Sequence, residues 1–317
     1  MNAARGKSAF SLPAACLAAG TATPRANRRE RQAHLARIPF VLAAAALAFL
    51  MGGAPAGAAA FAIGAAAWRA FRPRKGARRR ALWKAPLPPG HEKFLLRAIP
   101  HYRSLDEPGR ELFRQRVKLF LDEVAFHGAG AKVTDGLRLR AAAAAVIPTL
   151  GLGEWEWPSL GEIVFRPEGY ERGAYQNEDG VVTECVESGL IGVPGCLSGV
   201  MMLSSRDLIW EFAHPEGGAN VGIHEFAHLM AAQGLDLAGR DRGKWRGLVK
   251  AEAARIRRNE SLLDEYALLN DDEFFAVASE LFFTVPLRFR RRHRQLYGVL
   301  ARCYRSDPAL WLKGRRG

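Results

Sequence analysis

The chain has 317 residues, 46 basic and 32 acidic, with a formal net charge of +14 at pH 7. This length accommodates one large domain plus additional segments. The charge suggests nucleic acid, but its distribution argues against it. Residues 1–84 hold 15 Lys and Arg against one acid, Glu30, which leaves 31 residues of each sign in the rest of the chain. The excess charge flanks an apolar segment, where anionic lipid headgroups are the more natural partner. None of the four cysteines, Cys16, Cys185, Cys196 and Cys303, forms a C-x-x-C pair. A cysteine zinc site is therefore not expected, and reduced thiols suit a reducing compartment.

In chain order, residues 1–37 are rich in Ala, Arg, Gly, Ser and Pro and read as a basic disordered tail. No charged residue occurs from Ile38 to Ala67. That is long enough to cross a bilayer, so 38–71 reads as a membrane segment. The alternatives are a re-entrant hairpin broken at Gly52-Gly53-Ala54-Pro55 and a cleaved signal peptide. Arg69 to Arg80 form the denser positive flank, which places the following domain on the cytoplasmic face of the membrane after a single pass. A basic, then proline-rich linker is expected over 72–92, and a soluble domain over 93–312.

Within that domain, Leu112, Phe113, Val117, Phe120, Leu121 and Val124 recur at helical spacing and predict a helix over Glu111–Phe126. Leu137–Ile147, with its alanine run, predicts another. Short β-like runs follow at Glu162–Phe165, Val181–Val186 and Val200–Leu203. The fold class is therefore α+β, mainly helical with a small sheet. A sheet of this kind beside a catalytic helix can align an extended substrate by backbone pairing. The charged stretch Arg240–Arg258 and the basic run Arg288–Arg294 both read as solvated surface.

The most informative five residues are His224-Glu225-Phe226-Ala227-His228. On a helix, positions i and i+4 lie about 40° apart, so both imidazoles point one way and can share one Zn²⁺. Glu225, offset by about a quarter turn, sits beside the metal rather than on it and can act as base toward an activated water. Apolar Ile223, Phe226, Ala227 and Met230 mark a buried helix, with Gly217-Gly218 before it and Gly234 as its C-terminal cap. The competing reading is a purely structural His–Glu–His cluster.

A third ligand must come from further along. Candidates are Asp236, Glu252, Glu260, Asp264, Asp271, Asp272, Glu273 and Glu280. The run Asp271–Phe283 reads as a helix whose acidic start, Asp271, Asp272 and Glu273, suits the positive end of its dipole. Glu280 lies among Ala278, Leu281, Phe282 and Phe283, where a carboxylate needs a partner. That makes it the expected ligand, against a buried ion pair with an arginine. Asp236 is the next candidate.

Four segments carry a resemblance to the Mlc titration factor A (MtfA) family of bacterial zinc peptidases. They are Leu137–Leu152, Asn220–His228, Asp264-Glu265-Tyr266-Ala267 and Glu273–Phe283. The resemblance implies a zincin-like metallopeptidase domain acting on a peptide or protein substrate. It implies one Zn²⁺ per chain held by His224, His228 and Glu280, with Glu225 as general base. Tyr266 would be an active-site tyrosine that hydrogen-bonds the developing oxyanion. It also implies a protein partner, since the family is named for capturing a transcriptional repressor. The segment Leu229–Gly234 departs from the family pattern after the second histidine, which bears on substrate preference rather than on zinc.

Overall fold

A computed structural model of the chain describes residues 74–168, 190–191, 199–235 and 242–311, together with Leu50 and Ala62. The chain divides into two compact units, Ala22–Pro86 and a larger one of Met1–Thr21 with Leu87–Gly317. In the smaller unit, the helix α1 (Arg74–Lys84) is described. The expected linker 72–92 is thus largely helical, and the unit boundary falls inside it. Among the described residues, no helix is long and apolar enough to cross a membrane. The expected membrane segment lies, apart from Leu50 and Ala62, outside the described residues, as does the run Val181–Val186.

The larger unit opens with three helices, α2 (Pro89–Ala98), α3 (Pro100–Ser104) and α4 (Glu107–Glu123). Asp106 caps α4 by accepting from the Gly109 N–H at 2.9 Å. The sequence placed this helix at Glu111–Phe126, but it ends earlier. Val124 is extended, and Phe126 stands in β1 (Ala125–Gly128), its ring stacked 6.1 Å from Phe165 on the neighbouring strand. Packing across strands outweighs the helical period there.

The helix α5 (Asp135–Val146) carries the alanine run, and residues 141–145 are all fully buried. A 3-10 turn (Ile147–Thr149) follows. Arg116 of α4 fastens the next loop, donating to the carbonyls of Thr149, Leu152 and Gly153. Gly151 is required in that loop, because a Cβ would lie 2.4 Å from the Tyr304 carbonyl oxygen.

β2 (Leu160–Arg166), β3 (Leu190–Ile191) and β4 (Gly199–Ser204) complete a four-stranded sheet in the order β1-β2-β4-β3. The first three strands run parallel, and β3 is an antiparallel edge on β4. Ile163, Phe165, Met201 and Leu203 alternate inward and are buried. Two of the expected β-runs are therefore strands, and β1 and β3 are additional.

From the sheet the chain enters α6 (Ser205–Ala213), turns at Gly218 and forms α7 (Val221–Ala232), which carries the two histidines. Gly218 has φ +90°, which glycine adopts without strain. Asn220 caps α7 by accepting from the Ile223 N–H at 3.0 Å. At the other end, Gly234 (φ +86°) donates to Ala231 and Leu235 donates to Met230, a complete Schellman cap that stops the helix where the sequence places it. α7 lies against α5 at a close approach: a Cβ on Gly222 would sit 2.6 Å from the Ala144 Cβ. Ala144 of α5 is thus small because the backbone of α7 passes over it.

α8 (Arg242–Ile256), a 3-10 turn (Glu265–Leu268), α9 (Asp271–Thr284), α10 (Pro286–Arg292), α11 (Arg294–Cys303) and α12 (Pro308–Trp311) finish the chain. The two basic stretches are not wholly solvated. Glu252 and His293 are buried, with Glu252 Oε2 3.1 Å from His293 Nδ1 and Arg255 3.1 Å from the same carboxylate. α9 packs along α7, and its far side rests on Tyr304, whose hydroxyl donates to Ser279 Oγ at 2.8 Å.

Candidate metal centre

His224 and His228 leave α7 one turn apart and on one side, as the i and i+4 spacing requires. Their rings lie 4.8 Å apart and the two Nε2 atoms are 3.1 Å apart, aimed at a common point. A carboxylate closes the group from α9. Glu273 Oε2 is 3.1 Å from His224 Nε2 and 3.2 Å from His228 Nε2. Donor atoms of His224, His228 and Glu273 all lie within 4.8 Å of one another, a spacing that would accommodate a metal ion.

The carboxylate brought to both Nε2 atoms is therefore Glu273, not the expected Glu280. Glu280 stands behind His224. Its Oε2 is 3.4 Å from Nδ1, and its Oε1 accepts from the Asn220 N–H. The physical reason is the spacing along α9. Seven residues are two turns, so the two residues share a face with their backbone positions about 10 Å apart along the axis, and their side chains reach opposite edges of one imidazole. Asp236 lies outside the described residues. Glu252 is engaged with His293, and Glu260 pairs with Arg258 at 2.9 Å. Asp264 caps the 3-10 turn by accepting from the Tyr266 N–H.

Glu273 is the candidate carboxylate that sequence reasoning assigned to the helix dipole instead of the metal. Its place in the acidic first turn of α9 has a sufficient explanation in the helix dipole, and Asn270 does cap that turn, accepting from the Glu273 N–H at 2.8 Å. The available signal was the period: Glu273 and Glu280 are the two acids on one stripe of a buried helix.

The electrostatics of the group favour a cation. Three carboxylates, Glu225, Glu273 and Glu280, surround two imidazoles. Burial lowers the proton affinity of His224, but the hydrogen bonds it donates to Glu273 and Glu280 outweigh this and carry it up to about 10. Glu225 is pushed up to about 8, first by burial and then by its acidic neighbours. Burial would raise Glu273 as well, yet its bonds to the two histidines hold it down at about 2. A divalent cation among these groups would neutralise the surplus negative charge, and two imidazole nitrogens with one carboxylate oxygen match the donor set of a catalytic zinc site.

One side of the group is open. The His228 side chain is 26% exposed and Glu273 17%, whereas His224 and Glu280 are at 7% and 6%. The more exposed side of the group is that of His228, while Glu280 lies on the buried side. Tyr266, on the 3-10 turn before α9, is half-buried with its ring 5.9 Å from that of His224. His228, Glu280 and Tyr266 are thus grouped around His224, and Glu225 follows it on the same helix.

The sequence profile of the glucose-regulated metallo-peptidase M90 family matches residues 73–305 of this chain. An uncharacterized protein of Synechocystis sp., slr2042, is 30% identical over 246 residues, covering 74% of this chain and 90% of that protein. The Mlc titration factor A of Edwardsiella ictaluri is 28% identical over 63% of this chain and 78% of its own length. That of Yersinia pestis is 27% identical over 73% and 92%.

Proposed function

We propose that this chain, which belongs to the glucose-regulated metallo-peptidase M90 family, is a zinc-dependent peptidase. The single observation that carries the reading is the convergence of His224 Nε2, His228 Nε2 and Glu273 Oε2 beside a buried glutamate. These three residues would hold the ion. Bound there, zinc would supply Lewis acidity toward the scissile carbonyl and make water a nucleophile near neutral pH.

The chain's own residues do the rest. Glu225 follows His224 on the same helix and is buried. A carboxylate beside the ion can both take and return a proton. In the reaction it takes the proton of the attacking water and returns it to the departing amine. Tyr266, whose ring lies 5.9 Å from that of His224, would donate to the oxyanion of the tetrahedral intermediate. The atoms balance as one peptide bond and one water giving a carboxylate and an amine.

The test is the Glu225→Gln variant of the full chain. It should retain zinc while hydrolysis of a peptide library falls by about two to four orders of magnitude, the usual scale for losing general acid–base catalysis. Hydrolysis at the wild-type rate would reject Glu225 as base.

A second reading is favoured by the name shared by several relatives, Mlc titration factor A. On this reading the chain captures a transcriptional repressor, and hydrolysis is secondary. The two separate cleanly. A capture protein binds the repressor equally well as Glu225→Gln and leaves the peptide library uncut. In either case we place the domain at the membrane through residues 38–71, on the cytoplasmic side. The support is the uncharged run Ile38–Ala67 and its positive flank.

A further inference from the structure

We infer that Glu280 is a positioning residue that fixes the tautomer and orientation of His224, leaving Nε2 free for the metal. The inference rests on the zinc reading above. Metal-binding imidazoles generally donate their second ring N–H to a carboxylate or carbonyl, which orients the ring and raises its basicity. Here the ring of His224 is held at both edges by one helix. Glu273 reaches its Nε2 edge and Glu280 its Nδ1 edge.

The arrangement demands a carboxylate. Both oxygens of Glu280 face N–H donors: Oε1 accepts from the Asn220 backbone and Oε2 stands 3.4 Å from His224 Nδ1, with both side chains buried. Asn220 is also the cap of α7. One side chain thus anchors the first turn of the catalytic helix and its first histidine together. A second contact between the same elements exists: Thr284 Oγ1, four residues on, lies within hydrogen-bond distance of the Gly218 carbonyl at 2.8 Å and of the Glu280 backbone carbonyl at 2.7 Å. It bonds to the backbone and not to the Glu280 carboxylate or to either histidine, so it separates fastening of the helix from orientation of the ring.

A glutamine at position 280 keeps the shape but offers one acceptor oxygen for two donors. Its amide NH₂ must oppose either the Asn220 N–H or His224 Nδ1–H. Facing the histidine, it favours the tautomer protonated on Nε2, which cannot bind metal. The experiment compares the full-length chain with Glu280→Gln and Thr284→Val. Three readouts are used: zinc affinity by competition with a chelating dye, thermal unfolding without added zinc, and ¹⁵N-histidine NMR of the zinc-loaded protein.

Glu280→Gln should weaken zinc binding about 10–100-fold and shift or remove one downfield imidazole N–H signal. Thr284→Val should lower the unfolding temperature yet leave zinc affinity and that signal in place. Wild-type zinc affinity in Glu280→Gln would overturn the inference while leaving the peptidase reading intact. Equal loss of zinc in both variants would reduce Glu280 to a structural tie and overturn it too. A wild-type chain that takes up no zinc would remove the underlying reading and this inference together. Should Glu280→Gln not fold, Glu280→Asp, retracted by one methylene, is expected to weaken zinc in the same direction. Wild-type affinity there would be equally fatal.

Discussion

At the scale of single residues, the site turns on which of two glutamates on one helix meets the metal. Glu273 faces both Nε2 atoms and Glu280 faces Nδ1. The expected order of zinc loss is therefore His224→Ala, His228→Ala and Glu273→Ala first, each exceeding the about 10–100-fold expected of Glu280→Gln. Metal content after dialysis against a weak chelator would rank them. If Glu273→Ala kept zinc more tightly than Glu280→Ala, the roles assigned from geometry would be exchanged. The histidines and Glu225 were legible in the sequence because five contiguous residues on one helix set their own relative geometry. The third carboxylate was not, because its distance from them depends on how α9 docks.

At the scale of elements, α7 is positioned by small residues on one side and by hydrogen bonds on the other. Gly222 passes over Ala144, and a methyl group there would sit 2.6 Å from its Cβ. Gly222→Ala should therefore cost about 1–3 kcal/mol by overpacking, despite alanine's better helix propensity. Urea unfolding would measure it, and a neutral or stabilising result would mean the two helices can part without cost. The same contact accounts for Ala144 within the alanine run of α5. The end of α4 was misread for a related reason. Val124 fits the helical stripe, but Phe126, the expected end of that helix, is claimed by Phe165 across the sheet.

At the scale of the whole molecule, two properties are open to measurement. His101 is fully buried, and its Nε2–H donates to the Phe283 carbonyl at 2.8 Å, joining α3 to the end of α9. Burial, only partly opposed by that hydrogen bond, lowers its proton affinity below the ordinary value of 6.5. Below that value the unfolded chain takes up a proton that the folded chain refuses, so stability falls as pH drops from 6.5 toward the lowered value. The slope from this one group is at most about 1.4 kcal/mol per pH unit. His101→Gln should flatten this part of the pH profile in chemical denaturation, and an unchanged profile would assign acid sensitivity elsewhere. The second property is location. With all excess charge in residues 1–84 and an uncharged run within it, the full chain should sediment with membranes and resist extraction by high salt. Release by salt alone would indicate attachment through the arginines only, since salt screens surface charge.

The sequence by itself determined the chemistry that depends on local spacing. It set the paired histidines, the glutamate between them, the glycine that stops their helix and the division of charge between the N-terminal segment and the rest. These follow from the helical period, from φ values open to glycine and from composition. The docking of α9 on α7 was decided only in three dimensions. It brings Glu273 to the Nε2 side of His224, sets Glu280 behind the ring and puts Tyr266 beside it. The reason is that residues 49 and 56 positions from His224 have no geometric relation to it until side-chain packing sets the register between the two helices.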